Sequence, residues 1–577
     1  MAPGTQNKSS QLYLMWLPYI TQIVDNHVVR LAWNNNDDFF RYTRSRFLCD
    51  EDKNLSQRYV RFNVEELAKI AAEVVGPGTR CCVKVEKLAD GMYNKALLLT
   101  MDDGIQVVGK VPNPNAGLPH LTTASEVATT DFVKNVLGTP APKILGWNSK
   151  SDNPVGAEYV IMEKVKGVPL EKLWNRLDSE VKSNLVEQIA AFQRCWTLTT
   201  FVQYGGLYYK GDLPNSMSSL VYTNHKGKRI TDDRFAVGPS VSRNNVHDER
   251  NQVESDRGPW NSAIDYAMAA GHREIACISQ ASQLPKSPIA IYGPGYYVQS
   301  KERKIKALQA YLKLVEHILP DDEDLKASHL WHSDMHRENV FVDPENPTKI
   351  CGIIDWQSTE LGPLYDHVIQ PYILDYDGPP LDGDLLQRPE LKRIENMVGD
   401  DLAPPEKKQK VDTLLAAISL VSQYRHLIHL ENKPLFHALE FQQTMKYRML
   451  KFAQAIFVEG EATYLSIVAD QYRKGWEGFP RLQDDPDLKR VFPFTFSKKE
   501  LEIIDFDSEC VSYGIGLMQD VREAVGLQFF RVDGTVDHDM YNAAKGGIRM
   551  VKKDFMSKYP RNEDERKAWE MAWPFDD

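Results

Sequence analysis

The sequence predicts a two-lobed α+β protein, with a small β-rich N-terminal lobe and a larger, mainly helical C-terminal lobe. Three observations carry this. Strand-like segments cluster before residue 164, amphipathic helical segments follow it, and one further hairpin at 340–354 interrupts the helical part. Strands in one run and helices in the next build a segregated architecture, not alternating βαβ units.

Taken in order, residues 1–60 read as an N-terminal extension and 61–163 as the small lobe. Residues 164–480 read as the large lobe with an insertion around 205–300, and 481–577 as a C-terminal helical extension. Asn63–Gly76 is a predicted helix with a glycine just past its end. Ala96–Thr100 and Ile105–Val111 are predicted strands joined at Asp103-Gly104, a hairpin signal. Thr122–Gly138 reads as a helix closed by Gly138, and Ala157–Glu163 as a strand. In Ser179–Trp196 the residues Val181, Leu185, Ile189, Phe192 and Trp196 share one helical face. In Lys301–Leu319 the same holds for Ile305, Leu308, Leu312, Val315 and Leu319. Residues 205–260 read as polar loop. Helices are expected over Val411–Glu431 and Pro434–Glu459, and the Pro- and Lys-rich patch Ala403–Lys410 as an exposed connection.

Composition narrows the function classes. Of 577 residues, 42% are hydrophobic and 26% charged, ordinary for a globular chain with a sizeable core. The net charge of −11 supplies no basic excess to neutralise phosphates, so no nucleic-acid partner is expected. The seven cysteines are odd in number and form no CxxC pair, which points to reduced thiols in an intracellular protein. No apolar run is long enough to span a bilayer; Leu12–Val24 is interrupted by Pro18, Thr21 and Gln22. The first 24 residues lack acidic residues, as a mitochondrial presequence would, but hold one basic residue, Lys8.

The chemistry concentrates in LWHSDMHRENVFVDPENPTKICGIIDW, residues 330–356. Val340–Val342 is a predicted strand, Asp343–Thr348 a turn, and Lys349–Ile354 the returning strand. The fold-back brings Asn339 and Asp355 to the same end. A carboxylate and an amide oxygen suit Mg²⁺, which keeps water and phosphate oxygens as its other ligands. Asp334, five residues before Asn339, is placed to take a proton from an attacking hydroxyl. Metal clamp, base and positioning are what phosphoryl transfer requires. Upstream, Lys110 returns beside the loop Lys87–Lys95, whose only glycine is Gly91; a lysine beside such a loop can hold ATP phosphates. Glu126 has two readings: an ion-pair partner orienting Lys110, or the third helical position of a capping box, Thr123-Ala-Ser-Glu126. Asp375 and Asp377 read either as acids attracting a cationic acceptor or as solvated loop residues.

These motifs, with the strand Ala157–Lys164, resemble the aminoglycoside phosphotransferase and choline kinase-like superfamily. Within it, YVRFNVEEL (Tyr59–Leu67), MYNKALLLTMDDG (Met92–Gly104), DRGPW (Asp256–Trp260) and IIDWQSTELGPLYD (Ile353–Asp366) resemble a fungal group typified by altered inheritance of mitochondria protein 9. The resemblance implies a bilobal protein kinase-like fold with ATP and Mg²⁺ between the lobes. It implies Asp334 as catalytic base, Asn339 and Asp355 as magnesium ligands, Lys110 on the ATP phosphates and Glu126 orienting it. Met162, Glu163 and Lys164 would line the adenine hinge, and His332 would brace the catalytic loop. Ser333, and Trp356-Gln357 after Asp355, depart from protein kinases and point to a small-molecule acceptor. The loop reads Ala89-Asp90-Gly91, where the group is expected to carry two glycines.

Two functions follow as expectations: a small-molecule kinase, or a kinase-like scaffold acting through partners. The resemblance implies a mitochondrial location; the sequence is equally compatible with the cytoplasm.

Overall fold

In the computed structural model, residues 33–474 and 495–575 and the short strands at 21–24 and 27–30 are described, apart from 215, 216, 375, 377, 379, 380, 382, 390, 399–403, 532 and 533. The fold is the expected α+β arrangement, a sheet-based N-terminal lobe followed by a mainly helical one.

The first lobe is a five-stranded antiparallel sheet in the order Cys82–Lys87, Asn94–Met101, Gln106–Pro112, Tyr159–Glu163, Ile144–Asn148. Alternation along Lys95–Met101 sends Leu97 and Leu99 into a core with Leu67, Ala68, Ala71 and Ala72 of the helix Val64–Val75. That helix starts where the sequence placed it, because the Asn63 side chain accepts from the Glu66 amide. Ala96 lies opposite Lys110, so Lys110 points to the face away from that core.

The second lobe surrounds the helices Ser179–Thr197, Ala263–Gln280, Lys301–Ile318 and Met445–Glu459. On Lys301–Ile318 the buried face is wider than expected: it includes Ala307, Tyr311, Leu314 and Lys304, while Ile305 and Leu312 are only partly buried. Lys304 is buried because its Nζ donates to the carbonyls of Ile456 and Phe457, at the open C-terminal end of Met445–Glu459.

Three sequence expectations are corrected. Residues 205–260 are not simply loop: they form strands Gly206–Tyr209, Leu220–Thr223, Arg229–Asp232 and Phe235–Gly238. Each is only four residues long, too short for periodicity to stand out. Glu406–Lys410 is largely exposed, as expected, but is no connection: it belongs to the first turns of the helix Pro404–Glu431, since prolines in a first turn sacrifice no helical hydrogen bond. Pro434–Glu459 is two helices, Lys433–Gln442 and Met445–Glu459, divided where the Thr444 hydroxyl caps the second by accepting from Tyr447 N–H.

Segments early and late in the described chain meet. Thr535–Val536 pairs with Arg46–Phe47, and Leu48 and Ile291 join Leu517, Val521, Trp569 and Trp573 in one apolar cluster.

Candidate functional site

Two hairpins build the site. In the second lobe, Val340–Val342 pairs with Ile350–Ile353, and the Ile354 amide donates to the Asn339 carbonyl. This register puts Asn339 opposite Ile354, so Asn339 and Asp355 lie at the same end of the hairpin. The hairpin is anchored from below by tryptophans flanking the motif. Trp331 and Trp356 each meet Trp196 edge-on, with ring centroids 5.5 and 5.6 Å apart. Trp356 is the residue after Asp355, so core packing fixes where that carboxylate begins.

His332 locks the loop. Its Nδ1 accepts from the Asp334 amide at 3.2 Å, and its Nε2 lies 2.9 Å from the Ile354 carbonyl. An amide only donates and a carbonyl only accepts, so the proton is assigned to Nε2. Burial holds the His332 pKa below the ordinary value, although the Ile354 carbonyl and Asp355 oppose it. Asp334 thus sits on a rigid backbone with its carboxylate 58% exposed, open to an incoming molecule. The buried Asn339 donates from Nδ2 to the Asp334 carbonyl at 3.0 Å, and His336 Nε2 is within 3.2 Å of the same nitrogen. Asn339 Oδ1 accepts no hydrogen bond among the described residues.

The sheet supplies the cation. Lys110 Nζ lies 2.5 Å from Glu126 Oε1 and 2.8 Å from Asp355 Oδ1, joining the lobes through one ammonium. Burial opposes the charge on Lys110, but Asp355 and Glu126 outweigh it and raise its pKa. Burial raises Glu126, against Lys110. Burial also opposes ionisation of Asp355, but Lys110, Arg243 and His332 outweigh it and hold Asp355 below the usual carboxylate range. Of Glu126's two readings, the structure realises the ion pair. The helix begins at Leu121, so Glu126 is in its second turn, and Thr123 donates to Glu158 instead of capping.

The loop before the sheet is held differently from the sequence reading. An added Cβ on Gly91 would meet nothing within 4 Å, so no close approach within the described chain requires a glycine there. Its neighbour Asp90 is fully buried, accepting from Thr43 N and Oγ1 and pairing with Lys87 at 2.7 Å. Asp90 Oδ1 also lies 3.4 Å from Lys95, whose pKa burial lowers to about 8. Met162 lies in the sheet between Val108 and Ile144. Glu163 ends the strand with its carboxylate on the Lys143 amide, and Lys164 follows outside the ladder. Asp375 and Asp377 lie outside the described residues.

Sequence reasoning missed a second bridge between the lobes. Gln357 Oε1 accepts from Asn94 Nδ2 and from Arg243 Nη2, both at 3.0 Å, while Gln357 Nε2 donates to Asn94 Oδ1 at 3.1 Å. Arg243 comes from the insertion and lies 3.4 Å from the centre of the Tyr93 ring. The position of Gln357, two residues past Asp355, was a usable signal. Arg243 had none, since only the chain fold brings it here.

The donor set fits a magnesium ion. Asn339 Oδ1 and Asp355 Oδ2 could face it, Asp355 Oδ1 being taken by Lys110, and no group of three or more His, Cys, Asp or Glu forms a protein-only cage among the described residues.

Residues 84–390 match the family described as APH, the phosphotransferase enzyme family. A subtelomeric hrmA-associated cluster protein of Aspergillus fumigatus is 30% identical over 325 residues, which is 51% of this chain and 61% of that protein. The chain therefore spans less than two thirds of that relative. The protein named altered inheritance of mitochondria protein 9, mitochondrial, of Yarrowia lipolytica is 22% identical across 92% of this chain and 90% of its own length. Among solved structures, the ternary complex of APH(2″)-IIa with streptomycin and ATP is 13% identical, covering 70% of this chain and 96% of that one, with a TM-score of 0.33.

Proposed function

The chain belongs to the phosphotransferase enzyme family, and from that premise we propose that it transfers the γ-phosphoryl group of ATP to a hydroxyl of a small molecule. The observation that carries this is the single ammonium of Lys110, held between Glu126 and Asp355 beside the Asn339 hairpin. Glu126 fixes the direction of Lys110, whose charge faces the ATP phosphates. Asp355 and Asn339 would hold a magnesium ion, whose charge would offset that of the phosphates. The half-exposed Asp334 accepts the proton of the acceptor hydroxyl as its oxygen bonds to phosphorus and the bond to the β-phosphate oxygen breaks. His332 keeps the Asp334 backbone in place. Gly91 and the loop around it lie over the phosphates, and Met162, Glu163 and Lys164 border the adenine. The relatives' name supports a mitochondrial location.

The test is thermal stabilisation by ATP with and without Mg²⁺, in the unaltered chain and in Asp355→Ala. At a hundredfold excess over Kd, ligand adds about 2.7 kcal/mol of stability. A magnesium-dependent shift lost in Asp355→Ala is the expected result, followed by loss of phosphoryl transfer in Asp334→Ala. No shift in either protein would instead favour a kinase-like scaffold working through partners.

A further inference from the structure

Arg243 is a cation without an anion. Its Nη1 donates to the Ala116 carbonyl at 2.9 Å and its Nη2 to the Gln357 side-chain oxygen at 3.0 Å. Both acceptors are neutral, and no carboxylate lies within ion-pair distance of it among the described residues. A guanidinium has five N–H donors; with these two engaged, the rest have no acceptor in the described chain. A neutral amide could satisfy the same two oxygens without the cost of desolvating a charge. A half-buried cation without a carboxylate therefore points to an anionic ligand.

Its surroundings say which one. Arg243 packs on Tyr93, in the loop over the proposed phosphate site, and bonds Gln357, two residues past the proposed metal ligand Asp355. Burial lowers its pKa, and the fields of Tyr93, Asp355, Glu126 and Asp334 oppose that, so the side chain faces the same cleft as these groups. Lys110 already divides its charge between two carboxylates, whereas Arg243 is uncommitted. The segment carrying it is fixed to the helical lobe. Asn245 donates to Ser240 Oγ at 2.8 Å and accepts from Arg273 at 2.9 Å, while Ser240 donates to Glu360.

We propose that Arg243 is a second phosphate-binding cation, delivered into the cleft by the insertion, and that it grips the polyphosphate of a nucleoside triphosphate. The planar fork suits phosphate oxygens, and Tyr93 holds its plane. This rests on the nucleotide-binding reading above.

Calorimetric titration of Mg·ATP and of adenosine into the unaltered chain, R243Q and R243K separates the two. R243Q should weaken Mg·ATP tenfold or more and leave adenosine unchanged; R243K should fall between, keeping charge but losing the fork. Equal Mg·ATP affinity in R243Q and the unaltered chain overturns the role of Arg243 and leaves the nucleotide site standing. If R243Q no longer binds adenosine, R243K decides. A loss confined to Mg·ATP supports the proposal; no loss, or an equal loss for adenosine, overturns it. Absence of Mg·ATP binding by the unaltered chain overturns both readings together.

Discussion

At the scale of residues, the site depends on Lys110 serving two carboxylates at once. Lys110→Met leaves Glu126, 5% exposed, and Asp355 without the ammonium that pairs them. Removing one partner of a buried pair costs roughly 3–5 kcal/mol, and a drop of that order in unfolding free energy is expected from urea titration. Adding Glu126→Leu should recover part of it, because the stranded carboxylate is then gone. Strictly additive effects would show that the two do not communicate. The charged residues of this cluster were legible because their spacing in a hairpin is a local property. The choice between ion pair and cap for Glu126 was not, since both use the same residues and only the start of the helix at Leu121 decides it.

At the scale of elements, the segment after the first lobe is pinned to the hairpin of the second. Val168–Pro169 pairs with Phe341–Val342, and Gly167, at φ +96°, would place a Cβ 2.2 Å from the Val342 carbonyl oxygen. Gly167→Ala combines a left-handed backbone with a clash against main chain, which cannot swing away. The expected loss is about 2 kcal/mol or more, read from the urea midpoint; an unchanged midpoint would mean the two segments separate freely. Strands and helices with capping residues, such as Val64–Val75, were readable from the chain. The short strands between 206 and 238 were not, because four residues carry little pattern and their pairing partners are tertiary.

For the whole molecule, buried histidines and buried carboxyls give opposing acid responses. Burial pulls His247 and His367 down to about 4, and it also lowers His329 and His332. Unfolded histidine takes its proton near 6.5, so between there and about 4 the unfolded chain binds more protons. Stability then falls as pH drops, by up to roughly 1.4 kcal/mol per pH unit for each histidine. Glu360 opposes this: burial raises it to about 7, so its proton's contribution to the folded chain is full below the ordinary 4.5 and is lost as pH rises through 7. Burial raises Glu126, Glu158, Glu459 and Asp212 in the same sense, and Asp334 outweighs burial to raise His336, so the net slope sums opposing groups. The histidine share is read from His247→Gln, which should raise the urea midpoint at pH 5 more than at pH 7 relative to the unaltered chain; an equal change at both pH values would contradict the account.

Local pattern along the chain suffices for the two-lobed order, for the hairpin that brings Asn339 and Asp355 to one end, and for naming Asp334 and Lys110 as candidates. Each follows from local periodicity, turn residues or spacing along a few dozen positions. Tertiary packing alone settles that Glu126 pairs with Lys110, that Gln357 joins Asn94 across the lobes, that Arg243 enters the cleft, and that Leu48 shares a core with Trp569 and Trp573. Those contacts join residues far apart in the chain, and no local pattern encodes which distant surfaces meet when apolar area is buried.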